Sequence, residues 1–129
     1  KAMRWTQQHY PKAIWHFFAV TGKREDHTLA NLALIAAMAK PATIHTPSGT
    51  FQLILPNELK LQTVRVQTHS PISFLSFTRQ TITASGVQWP VCNLMLEHLW
   101  QATLNRTLDQ GEITLEFQAP LYIYQPHLG

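Results

Sequence analysis

Apolar residues change their spacing along this chain, and the changes divide it into elements. Ile14, Phe17 and Phe18 lie at helical intervals between Pro11, which suits a first helical turn, and Gly22, which suits the position past a helix end. That spacing predicts a helix over residues 11–20. A charged turn, Thr21 to Asp26, follows, and Asp26 is placed to cap a second helix over residues 29–39 that Pro41 stops. Leu29, Leu32, Ala33 and Ala36 mark one face of it, and Leu34, Ile35 and Met38 the others, which predicts burial nearly all round at the centre of the core.

From residue 42 the period becomes two. Residues 43–46 and 50–55 flank Pro47-Ser48-Gly49, the composition of a β-hairpin loop. Residues 59–68 resume the alternation, but Leu59 and Leu61 have one parity and Val64 and Val66 the other, so a one-residue bulge is expected near Thr63. Residues 72–83 read as one further strand. Pro90 then opens a long helix to about Leu108, with Arg106 in its last turn, Gly111 beyond it, and two neighbouring stripes, Val91/Met95/Leu99/Ala102 and Leu96/Trp100/Leu104/Leu108. Residues 112–119 alternate cleanly with Ile113, Leu115, Phe117 and Ala119 inward, and Pro120 interrupts before residues 121–124.

The resulting order, α-α-β-β-β-β-α-β, lacks the βαβ alternation of a parallel doubly wound fold. The expected fold class is α+β: a mostly antiparallel sheet with two N-terminal helices and one long C-terminal helix packed on one face. With 129 residues, 45% of them hydrophobic, the chain suits a single domain over residues 1–129.

Composition narrows the chemistry. Charged residues are 13% of the chain, against roughly 25% in typical globular proteins. The net charge of +3 therefore reflects scarce acids more than abundant bases. Residues 1–24 hold Lys1, Arg4, Lys12, Lys23 and Arg24 and no acid, while residues 97–129 hold Glu97, Asp109, Glu112 and Glu116 against Arg106 alone, so the two ends are expected to attract. No apolar run approaches the ~20 residues of a membrane helix. The single cysteine, Cys92, excludes a disulfide framework and leans toward the cytoplasm. The first residue is Lys rather than Met, and no signal-peptide pattern follows, so a trimmed product is expected.

Motifs for catalysis are sparse. The glycines, Gly22, Gly49, Gly86, Gly111 and Gly129, stand apart, so no phosphate-cradling loop can be written. His9 and His16 are seven apart across Pro11, and adjacent Glu97 and His98 diverge on a helix, so neither grouping has metal-ligand spacing. Cys92 stands among Trp89, Val91, Leu94 and Met95 with no base nearby, which favours a small packed hydrophobe over a nucleophile. No catalytic residue, metal or cofactor is assigned.

Two surfaces remain. The stretch 59–96 carries Lys60, Arg65, His69 and Arg79 and no acid, a weakly basic sheet face of the kind that holds a phosphate backbone. Fourteen Thr, eleven Gln, four Trp, three Tyr and six Phe supply low-charge, aromatic surface of the sort enriched at protein interfaces. Leu121, Tyr122, Ile123 and Tyr124, bracketed by Pro120 and Pro126, form a short extended piece expected at the sheet edge, where a partner strand would add. The sequence thus predicts a noncatalytic protein–protein interaction module, self-associating or docked on a larger assembly. A nucleic-acid-binding module is the second reading and an enzyme without a recognisable motif the third.

Overall fold

The computed structural model describes residues 1–127. The elements are α1 (Ala2–His9), β1 (Trp15–Phe18), α2 (Glu25–Ala37), β2 (Ala42–His45), β3 (Gly49–Ile54), β4 (Gln62–Arg65), β5 (Pro71–Leu75), β6 (Gln80–Ser85), β7 (Val91–Leu96), β8 (Asn105–Arg106), β9 (Glu112–Glu116) and β10 (Leu121–Pro126). They build a six-stranded sheet, β1-β2-β3-β10-β5-β8, and a four-stranded sheet, β4-β9-β6-β7.

Alternation along the strands explains why the sheets meet. Val64, Ile82, Leu96, Ile113 and Leu115 from the small sheet and Ile72, Phe74, Leu121 and Ile123 from the large one bury in a shared cluster. Two sheets packed face to face, rather than helices on one face of a single sheet, therefore hold the main core. A second cluster lies on the other face of the large sheet, where Leu32 and Ile35 of α2 cover Trp15, Ala42, Ile44, Leu53 and Tyr122. β1 and β2 pair in parallel across α2, and every other strand pairing is antiparallel.

The expected α+β arrangement is corrected in three places. Residues 15–18 form a strand because Trp15 and Phe17 point to the α2 face in period two, while the sequence's helix over 11–20 is absent. Residues 72–83 divide into β5 and β6, which belong to different sheets. Residues 90–108 carry no helix: residues 91–96 are β7, paired with β6, and residues 105–106 are β8. Leucine and methionine favour helices only weakly, and pairing against β6 overrides that preference. Asn93 takes φ 48° within β7, and its N–H is received by Thr83 Oγ1 at 3.0 Å where the ladder shifts register.

Smaller expectations also meet their outcome. The 43–55 hairpin is present as β2 and β3, closed by the Thr46 N–H to Gly49 carbonyl bond at 2.9 Å. α2 begins at Glu25, so Asp26 lies inside its first turn, and Leu29 and Leu34 are half exposed rather than buried. No bulge forms at Thr63, which pairs in register with Thr114, and Leu59 and Leu61 lie exposed outside β4. β9 alternates as expected, with Ile113 and Leu115 inward.

The segment 121–124 is not an edge. β10 lies between β3 and β5 with both of its edges paired. Leu121 and Ile123 enter the inter-sheet core while Tyr122 enters the α2 cluster, so burial runs through consecutive residues. The Tyr122 hydroxyl donates to the Leu32 carbonyl at 2.6 Å, and Phe51 and Phe77 meet its ring edge-to-face at 5.9 Å. Burial holds the pKa of this phenol well above its ordinary value.

Candidate functional site

The most distinctive surface begins where β6 ends. Gly86 has φ 84°, and a Cβ there would stand 2.8 Å from the Glu112 carbonyl oxygen, so the chain turns closely over β9 at this point. Val87 then bridges Thr107, and the Gln88 N–H donates to the Arg106 carbonyl at 2.9 Å. At Trp89 a side chain continues this ladder. Asn105 Oδ1 accepts the Trp89 N–H at 3.1 Å, and Asn105 Nδ2 donates to the Trp89 carbonyl at 2.7 Å. Both backbone groups of Trp89 are thus held while its indole remains 56% exposed.

The loop of residues 97–104 forms the other part of the site. Gln101 organises it: its Oε1 accepts the N–H groups of Glu97 and His98 at 2.6 and 2.7 Å, and its Nε2 donates to the Met95 carbonyl at 3.1 Å. The loop is tied to β5 by the Phe74 N–H to Ala102 carbonyl bond at 2.8 Å and by Ser73 Oγ donating to the Thr103 carbonyl at 2.9 Å. Trp100 stands out from it, 73% exposed.

Between these segments lies an open cavity of about 520 Å³ lined by Trp89, Pro90, Val91, Cys92, Leu94, Trp100, Gln101, Ala102, Thr103, Leu104 and Asn105. Its lining carries no acidic or basic side chain. The amides of Asn105 and Gln101 and the hydroxyl of Thr103 are engaged in holding the walls. Recognition is left to the indole faces, the aliphatic side chains and the exposed Cys92 thiol. Such a surface selects flat rings by stacking and tolerates a delocalised cation over an indole face. A charged anion would find no counter-charge here.

The residues singled out in the sequence lie elsewhere. Lys60 pairs with Glu116 (3.7 Å), His69 Nε2 approaches Asp109 (2.9 Å) and Arg79 pairs with Glu97 (2.9 Å), while Arg65 faces Glu112 across the β4–β9 ladder. The C-terminal acids therefore meet the bases of the middle of the chain and not those of the N-terminus. Each base of the expected phosphate-binding face has an acid beside it, so that face is mixed in charge. Leu121, Tyr122 and Ile123 are buried, and Tyr124 is half-buried against Phe51 at 4.6 Å between ring centres. Trp89 and Asn105 were not singled out because they are distant in sequence; an aromatic residue between Gly86 and Pro90, in a turn, is the one local cue.

The fold is a β-sandwich with an open, aromatic and uncharged cavity beside β7, the outer strand of its smaller sheet. Residues 54–124, more than half of the chain, match the model of the family described as thiamin pyrophosphokinase, substrate-binding domain, and the chain belongs to that family. The cavity falls wholly within the matched residues. The crystal structure of thiamine pyrophosphokinase from Bacillus subtilis is similar at 21% identity and a TM-score of 0.76, over 97% of this chain and 60% of that one. A thiamin pyrophosphokinase family protein from Enterococcus faecalis is similar at 17% identity and a TM-score of 0.80, over 99% of this chain and 62% of that one. Thiamin pyrophosphokinase from Candida albicans is similar at 13% identity and a TM-score of 0.75, over 97% of this chain and 50% of that one. The chain thus spans between half and about three fifths of the length of these structures. No curated protein matches it.

The family match overturns the expectation of a noncatalytic interaction module, since the matched domain is the substrate-binding part of an enzyme family. The nucleic-acid reading falls with it, and the mixed charge of the Lys60–Arg79 region gives the physical reason. Among the described residues no helix is long and apolar enough to cross a membrane.

Proposed function

We propose that this chain binds thiamin in the cavity beside Trp89, as the substrate-binding part of a thiamin pyrophosphokinase. The observation that carries the reading is the indole of Trp89, exposed at the wall of an uncharged cavity while its own backbone is fixed by Asn105. Thiamin consists of an aminopyrimidine and a cationic thiazolium joined by one carbon. Both rings are flat and electron-poor, so either gains from lying over an electron-rich indole face, the thiazolium through cation–π attraction as well. A wall held in place before the ligand arrives loses less conformational freedom on binding.

In the reaction of such a kinase the thiamin hydroxyl attacks the β-phosphorus of ATP, and AMP leaves. The part assigned to this chain is to hold the rings still so that the hydroxyethyl arm alone projects toward the nucleotide. Orientation of this kind supplies much of the rate enhancement in phosphoryl-type transfers. The uncharged lining suits the role, because it does not compete with the nucleotide's phosphates for a cation.

Calorimetric titration of the chain with thiamin tests the proposal. Saturable binding is expected, weakened about tenfold or more by Trp89→Ala and unchanged by Trp5→Ala, which alters an exposed indole on α1 that does not line the cavity. Absence of saturable binding, or equal affinity of the parent and Trp89→Ala, would contradict it.

A further inference from the structure

Two indoles line the cavity, and they come from separate segments: Trp89 from the strand-like stretch beside β8, Trp100 from the loop of residues 97–104. Trp100 is the more exposed of the two, at 73%. Its main chain is nevertheless anchored. The Trp100 carbonyl accepts the Thr103 hydroxyl at 3.0 Å, and the Gln101 side chain holds the loop on both sides. The His98 ring lies parallel to the indole within 6°, with ring centres 6.1 Å apart. An exposed indole on a braced loop, flanked by a parallel imidazole, is a prepared surface and not a loose end.

We propose that Trp100 is a specificity-determining residue, a second aromatic wall that stacks on the ligand held by Trp89, so that the cavity selects a molecule with two linked rings over one with a single ring. The inference rests on the reading of this cavity as a thiamin site and adds to it the residue that contacts the second ring. A one-ring ligand engages one indole and gains little from the other. A two-ring ligand that meets both walls of the cavity gains a second contact, which multiplies its affinity.

Calorimetric titration of Trp100→Ala, Trp100→Leu and Trp100→Phe with thiamin, and with its isolated aminopyrimidine and thiazole halves, tests this. Thiamin affinity should fall about tenfold or more in the Ala and Leu variants and stay within about threefold in the Phe variant, because a stacking face is what is lost and restored. At least one isolated half should bind the parent and Trp100→Ala almost equally. Melting temperatures should agree within about 2 °C, since the indole is largely in solvent. If Trp100→Ala and Trp100→Leu bind thiamin as the parent does while Trp89→Ala does not, the second wall is refuted and the thiamin site stands. If the parent shows no thiamin binding, both fall together.

Discussion

Asn105 completes at Trp89 a backbone ladder that the chain itself cannot continue: its amide accepts the Trp89 N–H at 3.1 Å and returns a donor to the Trp89 carbonyl at 2.7 Å. The same Oδ1 accepts the Arg106 N–H at 2.9 Å, which fixes the amide's own orientation. An asparagine is suited to this because it offers one donor and one acceptor in a plane, as a peptide group does. The partnership places an indole at the wall of a cavity while leaving its face free.

Asn105→Ala should therefore weaken thiamin binding several-fold by releasing the backbone of Trp89. The freed backbone groups at Trp89 are accessible to water, so the stability cost should stay near ~1 kcal/mol, the typical net value of a hydrogen bond. Titration and chemical denaturation of the same variant separate the two effects. Asn105→Asp removes the donor and keeps the acceptor, and should fall between the parent and Asn105→Ala in affinity.

Cys92 lines the cavity and is exposed. Alkylation by iodoacetamide, followed by mass spectrometry, should slow in proportion to cavity occupancy when thiamin is added. A rate independent of thiamin would place the ligand away from the β7 wall.

Tyr122 offers a control on the opposite side of the large sheet. Tyr122→Phe removes the bond to the Leu32 carbonyl and should cost ~1 kcal/mol, whereas Tyr122→Ala should cost about 3–5 kcal/mol through the cavity it leaves. Neither should alter thiamin affinity while the protein is folded. The phenol's pKa is raised in the folded chain, so as the pH rises past 10 the unfolded chain loses this proton first. Stability should decline there in the parent, and that component should be missing in Tyr122→Phe.

Gly86→Ala places a methyl 2.8 Å from the Glu112 carbonyl oxygen at φ 84°. Both the strain of the left-handed backbone and the clash oppose it, for a loss of about 1–3 kcal/mol. Because residues 87–89 leave directly from this turn, thiamin affinity should fall too. Equal denaturation midpoints for parent and variant would refute the close approach to β9.

Elements with one dominant pattern were legible in the sequence. The hairpin around Pro47-Ser48-Gly49, the second helix and the alternation of β9 follow from local spacing alone. Residues 90–108 misled because Val91, Met95, Leu99 and Ala102 satisfy a helical period, while the pairing that makes β7 a strand depends on β6, which local spacing does not reveal. Residues 121–124 misled in another way. Flanking prolines suggest an edge, but consecutive apolar residues there serve two cores, one on each face of the large sheet. The site was illegible because its defining contact joins Trp89 to Asn105, 16 residues away, through side-chain bonds that no spacing rule encodes.

The most direct test of the account is where thiamin acts on the chain. With the indole nitrogens labelled with ¹⁵N, thiamin should shift the Trp89 and Trp100 indole signals in a saturable manner and leave Trp15, buried beneath α2, unchanged. Shifts absent at Trp89, or equal at Trp15 and Trp89, would contradict the assignment of this cavity to the substrate.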